Sequence, residues 1–144
     1  MSGIDLSGDI RLAIDEAQPN KRSLVLGYVD DDGHAALSFR GSTHVHSPDQ
    51  LAFWSRKPAG PFIDSISQRP VVSFLYHSRD TPGVFFLSIR GRARVAAELN
   101  DEVYAAMPQA ERDQDADRGG VAILVDVDSV IAFGDDGRIA QQRD

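Results

Sequence analysis

The chain has 144 residues, of which 42% are hydrophobic and 26% charged, as expected for one globular domain (1–144) with a real core. It contains no cysteine, which excludes disulfides, thiolate zinc sites, iron–sulfur clusters and cysteine nucleophiles. The formal net charge of -7 disfavours nucleic acids and anionic membranes as partners, and no segment approaches the ~20 apolar residues that cross a bilayer. Since the N-terminus also lacks a signal-peptide core, we expect a cytoplasmic protein.

The first predicted element is an amphipathic helix over residues 7–18, with Ser7 as its cap. Its apolar residues recur at helical spacing: Ile10, Ala13, Ile14 and Ala17. This helix leads into a region of short strands that extends from residue 23 to residue 133.

The strand region begins with two alternating segments, 23–29 and 34–40, joined by an Asp-Asp-Asp-Gly turn that predicts a hairpin. Further strands are predicted at these positions: 43–46, 50–56, 70–76, 84–95 and 121–127. Segment 70–76 is apolar on both faces, which is typical of a central barrel strand. The residues from 135 to 144 are predicted to be a solvated tail, so about six strands and few short helices indicate a mainly β (α+β) domain.

The most informative residues follow the aromatic strand at Phe53 and Trp54, where a hydroxyl and two cations lead into a short helix. A helix N-terminus favours an anion, Arg56 can hold a phosphate with two parallel hydrogen bonds, and Lys57 adds a point charge. Ser55 offers a hydroxyl donor, and one of the two aromatic rings could face a planar group. These residues predict a site for a phosphorylated aromatic ligand, against the alternative of a solvated basic pair at a strand end.

A second polar set lies on the preceding hairpin. Ser38 and Arg40 share a strand face, and Ser42 and Thr43 follow at the next bend. Arg40 could reach the same phosphate from a neighbouring strand. The alternative is that Arg40 is a rim arginine paired with one of the many acids.

Two other patterns are weaker. His44 and His46 have the period-two spacing of ligands on one strand face, but no third ligand follows at a recognisable spacing, so no metal is predicted. Arg90, Arg92 and Arg94 form a basic stripe on another strand. Without interleaved aromatic residues in an acidic chain, the stripe indicates charge pairing rather than nucleic-acid binding.

The order of these segments resembles a known family. The segments are 38–43 (SFRGST), 51–57 (LAFWSRK), 68–70 (QRP), 71–76 (VVSFLY) and 89–93 (IRGRA). In this order they resemble the pyridoxamine 5'-phosphate oxidase-like family of FMN-binding split barrels, over about residues 23–133. Ser55-Arg56-Lys57 resembles the Ser-Arg-Lys phosphate-binding element of the oxidase, and Arg69-Pro70 stands where the family often has Asn-Pro.

The resemblance implies a six-stranded antiparallel split β-barrel with a few short flanking helices. It implies a homodimer with FMN held in two clefts at the subunit interface. It places four residues on the FMN phosphate: Arg40, Ser55, Arg56 and Lys57. It places five more near the ribityl chain or the ring: Ser38, Ser42, Thr43, Phe53 and Trp54.

The C-terminus departs from the oxidase, because no Arg- and His-bearing segment for the pyridoxal substrate follows Phe133. We therefore expect an FMN-dependent oxidoreductase of unknown substrate, with an electron donor such as NAD(P)H, rather than a true pyridoxamine phosphate oxidase. The cofactor would carry the redox chemistry, so no catalytic side chain is named. The alternatives are a non-catalytic flavin, deazaflavin or haem binding or sensing protein, and a β-barrel metalloprotein that uses the two histidines.

Overall fold

The structure is a computed structural model that describes residues 3–80 and 83–144. Its strands are β1 Leu24–Val29, β2 Ala35–Arg40, β3 His44–Ser47, β4 Gln50–Ser55, β5 Val71–His77, β6 Val84–Val95, β7 Val121–Gly134 and β8 Gly137–Gln142. Its helices are α1 Asp9–Asp15, α2 Pro61–Gln68, α3 Asn100–Ala106 and α4 Gln109–Asp113, with a 3-10 turn at Ala97–Leu99.

All strands of the described chain join one antiparallel sheet in the order β2-β1-β5-β6-β7-β4-β3, with β8 added beside β7. β7 is 14 residues long, and β6 pairs along most of it. On its other side, β7 pairs with β4 through residues 121–126 and with β8 through residues 129–134. The predicted mainly β, antiparallel split-barrel architecture is confirmed.

The β1–β2 hairpin forms as predicted. Its turn is held by the Asp30 carboxylate, whose Oδ1 accepts hydrogen bonds from the backbone N–H groups of Asp32 and His34. Gly33 has a φ of 81°, a conformation that glycine adopts without strain. This hairpin fixes the register of β1 and β2, so it determines which side chains of β2 are half-buried and which are exposed.

The core has two parts. The larger part lies inside the curved sheet, where alternate residues of the strands meet α1 and α2; it includes Leu26, Phe53, Phe74 and Leu87. The smaller part lies on the opposite face of β4 and β7, where Trp54 and Leu124 pack against Val103 of α3. Strand β4 is therefore buried on both faces, which explains its continuous apolar sequence.

Strand β5 lies in the interior of the sheet between β1 and β6, as expected for a central strand. Val72, Phe74 and Tyr76 are buried, but Val71 and Leu75 are 60% and 48% exposed. Its apolar character on both faces therefore does not correspond to burial on both faces in the chain as described. Its alternation has period two, with an apolar side chain on the solvent face as well as on the core face.

Both ends of the chain also differ from their predictions. Helix α1 is shorter than 7–18, and its N-cap is Gly8 rather than Ser7, whose hydroxyl donates to Asp5. The expected tail at 135–144 contains β8, which turns back at Gly137 and pairs with β7, so the described chain has eight strands rather than six. The side chains of β8 are mostly exposed, and its backbone hydrogen bonds hold it in place.

None of the helices within residues 3–80 and 83–144 has the length and apolar character that a membrane-spanning helix requires.

A close backbone contact at Gly91 of β6 generates the first prediction. A Cβ atom at Gly91 would lie 2.4 Å from the Asp126 carbonyl oxygen, and backbone atoms cannot rotate away. We expect Gly91→Ala to lower the free energy of unfolding by about 1–3 kcal/mol, measured by urea denaturation. The matched control is Gly27→Ala in β1, where the Cβ would lie 3.3 Å from the Leu37 side chain and 3.9 Å from the Ser73 carbonyl oxygen, an ordinary van der Waals contact. Equal stability of the two variants would contradict the prediction.

Candidate functional site

The end of β4 and the start of α2 form the wall of a cavity of about 610 Å³. The four residues predicted to contact a phosphate all line it: Arg40, Ser55, Arg56 and Lys57. Arg40 reaches the cavity from β2, whereas the other three come from the end of β4 and the turn after it. The fold therefore brings together groups from two strands that are not neighbours in the sheet.

Helix α2 adds backbone donors to the same cavity. Gly60 is its N-cap, Pro61 is its first residue, and no side chain caps it by a hydrogen bond. Because Pro61 lacks an N–H and the next N–H groups of the first turn have no partner within the helix, they face outward at the positive end of the dipole. Gly60, Pro61 and Phe62 all line the cavity.

Arg40 is held rigidly on an aromatic surface. Its guanidinium carbon lies 4.6 Å from the ring centroid of Phe62 and 5.4 Å from that of Phe53, and its Nε donates to Ser38 Oγ at 3.1 Å. Burial lowers the pKa of Arg40, and the charge of nearby Arg56 acts in the same direction. An arginine stays protonated in a protein, so this burial leaves a fixed positive charge facing the cavity.

The cations of the site outnumber the acids beside them. Arg40, Arg56 and Lys57 form no ion pair within residues 3–80 and 83–144. Two carboxylates lie nearby: Asp115 lines the cavity, and Glu111 lines an adjoining cleft with Arg40 and Arg56. In a chain of net charge -7, three cations without a direct ion pair at one cavity indicate a site for an anionic ligand.

Ser55 is positioned differently from the cations. Its side chain is buried, and its hydroxyl donates to the Lys57 carbonyl oxygen at 2.8 Å. This hydrogen bond closes the turn after β4 and so fixes the backbone that carries Arg56 and Lys57. The remaining lone pairs of the hydroxyl are acceptors, so Ser55 serves the site mainly through the shape of the turn.

Ser42 and Thr43 tie the β2–β3 connection to its surroundings rather than lining the cavity. Ser42 Oγ accepts the Trp54 backbone N–H at 2.9 Å, and Thr43 Oγ1 donates to the Arg40 carbonyl oxygen at 2.8 Å. Both side chains are buried. Ser42 thus ties the segment after β2 to β4, and Thr43 closes the turn that follows Arg40.

The two aromatic residues predicted near a planar ring are both buried. Phe53 lies in the larger core, and Trp54 lies on the other face of β4 with its ring centroid 5.3 Å from that of Tyr104. The rings that line the cavity are instead Tyr28 and Phe62, which pack edge to face with centroids 5.0 Å apart. Neither was singled out from the sequence, because only the fold brings β1 beside α2.

Asp115 is a second residue that the sequence did not reveal. Its Oδ2 accepts from the Trp54 indole N–H and from the Gly120 N–H, both at 2.8 Å, and its Oδ1 accepts from the Gly119 N–H. The indole hydrogen bond lowers the pKa of Asp115, and the backbone N–H groups and the charge of Arg56 add to this against the opposing effect of burial. With Gln114, Asp115 closes one side of the cavity.

The two weaker patterns have structural explanations. His44 is buried, and its Nδ1 lies 2.9 Å from the Ser42 carbonyl oxygen, so this nitrogen carries a proton and donates. Arg92 pairs with Asp128 and Arg94 pairs with Glu98, as expected for charge pairing. In the described residues, the acidic and histidine side chains close enough to share an ion are those of the hairpin turn: Asp30, Asp32 and His34.

The fold defines a class: the chain has the split-barrel fold of pyridoxamine 5'-phosphate oxidase-like proteins. No family model matches the sequence. No curated protein matches it either. The evidence for the class is structural similarity at low identity.

Three solved structures illustrate the similarity. A protein from Clostridium acetobutylicum related to general stress protein 26 of B. subtilis, of the pyridoxinephosphate oxidase family, matches with a TM-score of 0.60 and 8% identity over 92% of this chain and 95% of that one. PhzG from Burkholderia lata 383, in complex with tetrahydrophenazine-1-carboxylic acid, matches with a TM-score of 0.62 and 15% identity over 89% of this chain and 81% of that one. An F420 reductase matches with a TM-score of 0.58 and 18% identity over 76% of this chain and 88% of that one.

The buried histidine generates a pH prediction. Burial lowers the pKa of His44, while its hydrogen bond to Ser42 and the charge of Asp15 oppose the shift. The folded state therefore disfavours the protonated ring. The stability that the buried, neutral His44 contributes is fully present above about pH 6.5, the pKa of histidine in the unfolded chain. This stability is lost as the pH falls below that value.

We expect the melting temperature to fall between pH 7 and pH 5, and His44→Asn to reduce this decline. The exposed His34 supplies the matched control, because His34→Asn replaces a histidine that is not buried. A slope unchanged by His44→Asn would show that other groups cause the decline. The measurement is thermal unfolding followed by circular dichroism at a series of pH values.

Proposed function

We propose that the chain is an FMN-dependent oxidoreductase that holds the FMN phosphate in the cavity between β4 and α2. The observation that carries the proposal is that Arg40, Arg56 and Lys57, none of them in a direct ion pair within the described chain, meet at the N-terminus of α2. A phosphate monoester is close to a dianion at neutral pH and needs such a concentration of donors.

The residues present fit both ends of the cofactor. Arg40, Arg56 and Lys57 would hold the phosphate, and Ser55 would keep their turn in shape. Tyr28 and Phe62 offer apolar ring surface at the same cavity. A volume of about 610 Å³ lies within the range of roughly 300–1,000 Å³ that is usual for pockets binding cofactors and other small molecules.

The rigidity of the site favours tight binding of the phosphate. The Arg40 guanidinium lies over the rings of Phe62 and Phe53, and its Nε donates to Ser38, so little side-chain freedom remains to be lost when an anion binds. Lys57 is exposed and adds charge without a fixed direction. Ser42 and Thr43 would act indirectly, by holding β2 and β4 in position.

When bound, FMN would supply the transfer of hydride or single electrons between a donor such as NAD(P)H and a substrate. The chain's own residues would bind and orient the cofactor, and Gln114 and Asp115 would limit solvent access on one side. One protein of similar fold is described as an F420 reductase, so redox chemistry occurs on this fold. We also propose that the protein is a homodimer.

A titration with FMN tests the phosphate site. We expect FMN to bind with quenching of its fluorescence, and the double substitution Arg56→Ala with Lys57→Ala to weaken binding at least tenfold. The reason is that each charge-assisted hydrogen bond is worth about 1.5–3 kcal/mol. The matched control is Arg11→Ala with Arg94→Ala. It removes two exposed arginines that do not line the cavity, and it changes the net charge by the same amount as the double substitution at the site.

If the wild-type chain does not bind FMN at micromolar concentrations, the cofactor assignment is wrong. If the double variant at the site binds as tightly as the control, the phosphate lies elsewhere. A deazaflavin coenzyme shares the phosphate and the tricyclic ring with FMN, so both can compete for the same site. Competition in the same titration shows which of the two binds more tightly.

The second test separates an enzyme from a carrier. We expect NADH or NADPH to bleach the visible absorbance of the FMN-loaded protein under anaerobic conditions, and readmitted oxygen to restore it. Dithionite serves as the control, since it reduces bound flavin without a nucleotide site. Bleaching by dithionite alone would favour the flavin carrier over an NAD(P)H-dependent oxidoreductase.

A further inference from the structure

Asp115 places a negative charge in a cavity that is otherwise rich in cations. It lines the same cavity as Arg40, Arg56 and Lys57, and none of these forms an ion pair with it within the described residues. A carboxylate in this position opposes the binding of any anion, whatever the rest of the ligand is. Its presence therefore has to be explained by something other than the phosphate.

The structural role of Asp115 explains only part of its chemistry. Its Oδ2 accepts from the Trp54 indole N–H and the Gly120 N–H, and its Oδ1 accepts from the Gly119 N–H at 2.9 Å. These hydrogen bonds close the turn that precedes β7. A neutral amide oxygen also has two lone pairs, so holding Trp54 and Gly120 does not require a charge.

The Asp115 carboxylate has an acceptor position to spare. A carboxylate offers about four lone-pair sites, and in the part of the chain that the structure describes the hydrogen bonds of Asp115 occupy one on Oδ1 and two on Oδ2. The side chain is only half-buried, so a ligand in the cavity can reach the remaining site on Oδ1. The indole hydrogen bond lowers the pKa of Asp115, so at neutral pH the group only accepts hydrogen bonds.

The charges around the cavity determine which kind of donor suits this acceptor. An ammonium group beside Asp115 would also lie close to the cations of the site, which repel it. A hydroxyl group is neutral, so the cations do not oppose it, and its hydrogen bond to an ionised carboxylate is stronger than one between neutral groups. The ligand that suits the whole cavity is therefore a phosphate ester with a hydroxyl group on its carbon chain.

We propose that Asp115 is a specificity-determining residue, which accepts a hydrogen bond from a chain hydroxyl of a phosphate monoester whose phosphate lies at Arg40, Arg56 and Lys57. The inference rests on the proposed function and deepens it by naming the ligand class, the polyol phosphates. FMN belongs to this class through its ribityl chain. Phosphate esters of plain alkyl chains bind less tightly, because they leave the Asp115 charge without a donor.

Isothermal titration calorimetry with two small phosphate esters of equal charge tests the ligand class. The probes are sn-glycerol 3-phosphate and n-propyl phosphate, which have carbon chains of the same length and differ in their hydroxyl groups. We expect the wild-type chain to bind glycerol phosphate at least about fivefold more tightly, because a hydrogen bond to a charged group adds to the phosphate contacts. Equal affinities for the two esters would overturn the proposal.

The substitution Asp115→Asn tests the residue itself. The amide oxygen can keep the hydrogen bonds from Trp54 and Gly120, which puts the amide NH2 group in the place of Oδ1 and removes the acceptor there. We expect the preference for glycerol phosphate to fall below about twofold, while inorganic phosphate binds at least as tightly as before because a negative charge has been removed. Asp113→Asn is the matched control, since Asp113 is an exposed carboxylate of α4 that does not line the cavity, and it should keep the preference.

The comparison with inorganic phosphate separates specificity from a structural role. If Asp115→Asn weakens the binding of both esters and of inorganic phosphate by the same factor, Asp115 only holds the turn and the proposal is wrong. A preference that Asp115→Asn leaves unchanged also overturns it. Circular dichroism and thermal unfolding establish that the variants are folded, and the comparison of the two esters on the wild-type chain needs no variant.

The failure of this inference can be told apart from the failure of the proposed function. A wild-type chain that binds neither ester nor inorganic phosphate has no phosphate site, and this result overturns both. A chain that prefers glycerol phosphate and loses the preference in Asp115→Asn, but does not bind FMN, supports the role of Asp115 and removes only the cofactor assignment.

Discussion

The site depends on the antiparallel pairing of β4 with the first half of β7. In that register Ser55 lies opposite Val121, so the end of β4 comes directly beside the segment that precedes β7. Gly120 makes this approach possible, since a Cβ there would lie 2.2 Å from the Ser55 carbonyl oxygen. Arg56, which follows Ser55, therefore lines the same cavity as the start of α2 and Asp115. Without this pairing the cations would belong to a free strand end.

Two layers of interaction then convert a strand end into a binding cavity. Backbone pairing sets the positions of β2 and β4 in the sheet. The buried Ser42 hydroxyl joins the segment after β2 to Trp54 of β4, and the Thr43 hydroxyl closes the turn back to Arg40. The aromatic rings of Phe53 and Phe62 then hold the Arg40 guanidinium in a position where it forms no direct ion pair within the described residues.

The sequence predicted well those features that depend on near neighbours along the chain. The β1–β2 hairpin follows from the Asp-Asp-Asp-Gly turn, and the cavity cations follow from the adjacency of Arg56 and Lys57 to a helix start. The sequence did not predict β8, because its exposed side chains carry no hydrophobic alternation and its stability comes from backbone pairing. The role of Asp115 at the cavity was not predicted because its hydrogen-bond partner, Trp54, is distant in sequence. The burial of Trp54 in turn depends on the packing of α3 over β4.

The hydrogen bond between Trp54 and Asp115 gives the molecule an internal optical signal. The chain contains a single tryptophan, so its intrinsic emission arises from one indole whose N–H is bound to the segment that borders the cavity. Any motion that separates this segment from β4 exposes that N–H to water and shifts the emission to longer wavelengths. The state of the loop beside the anion site is therefore readable in unlabelled protein.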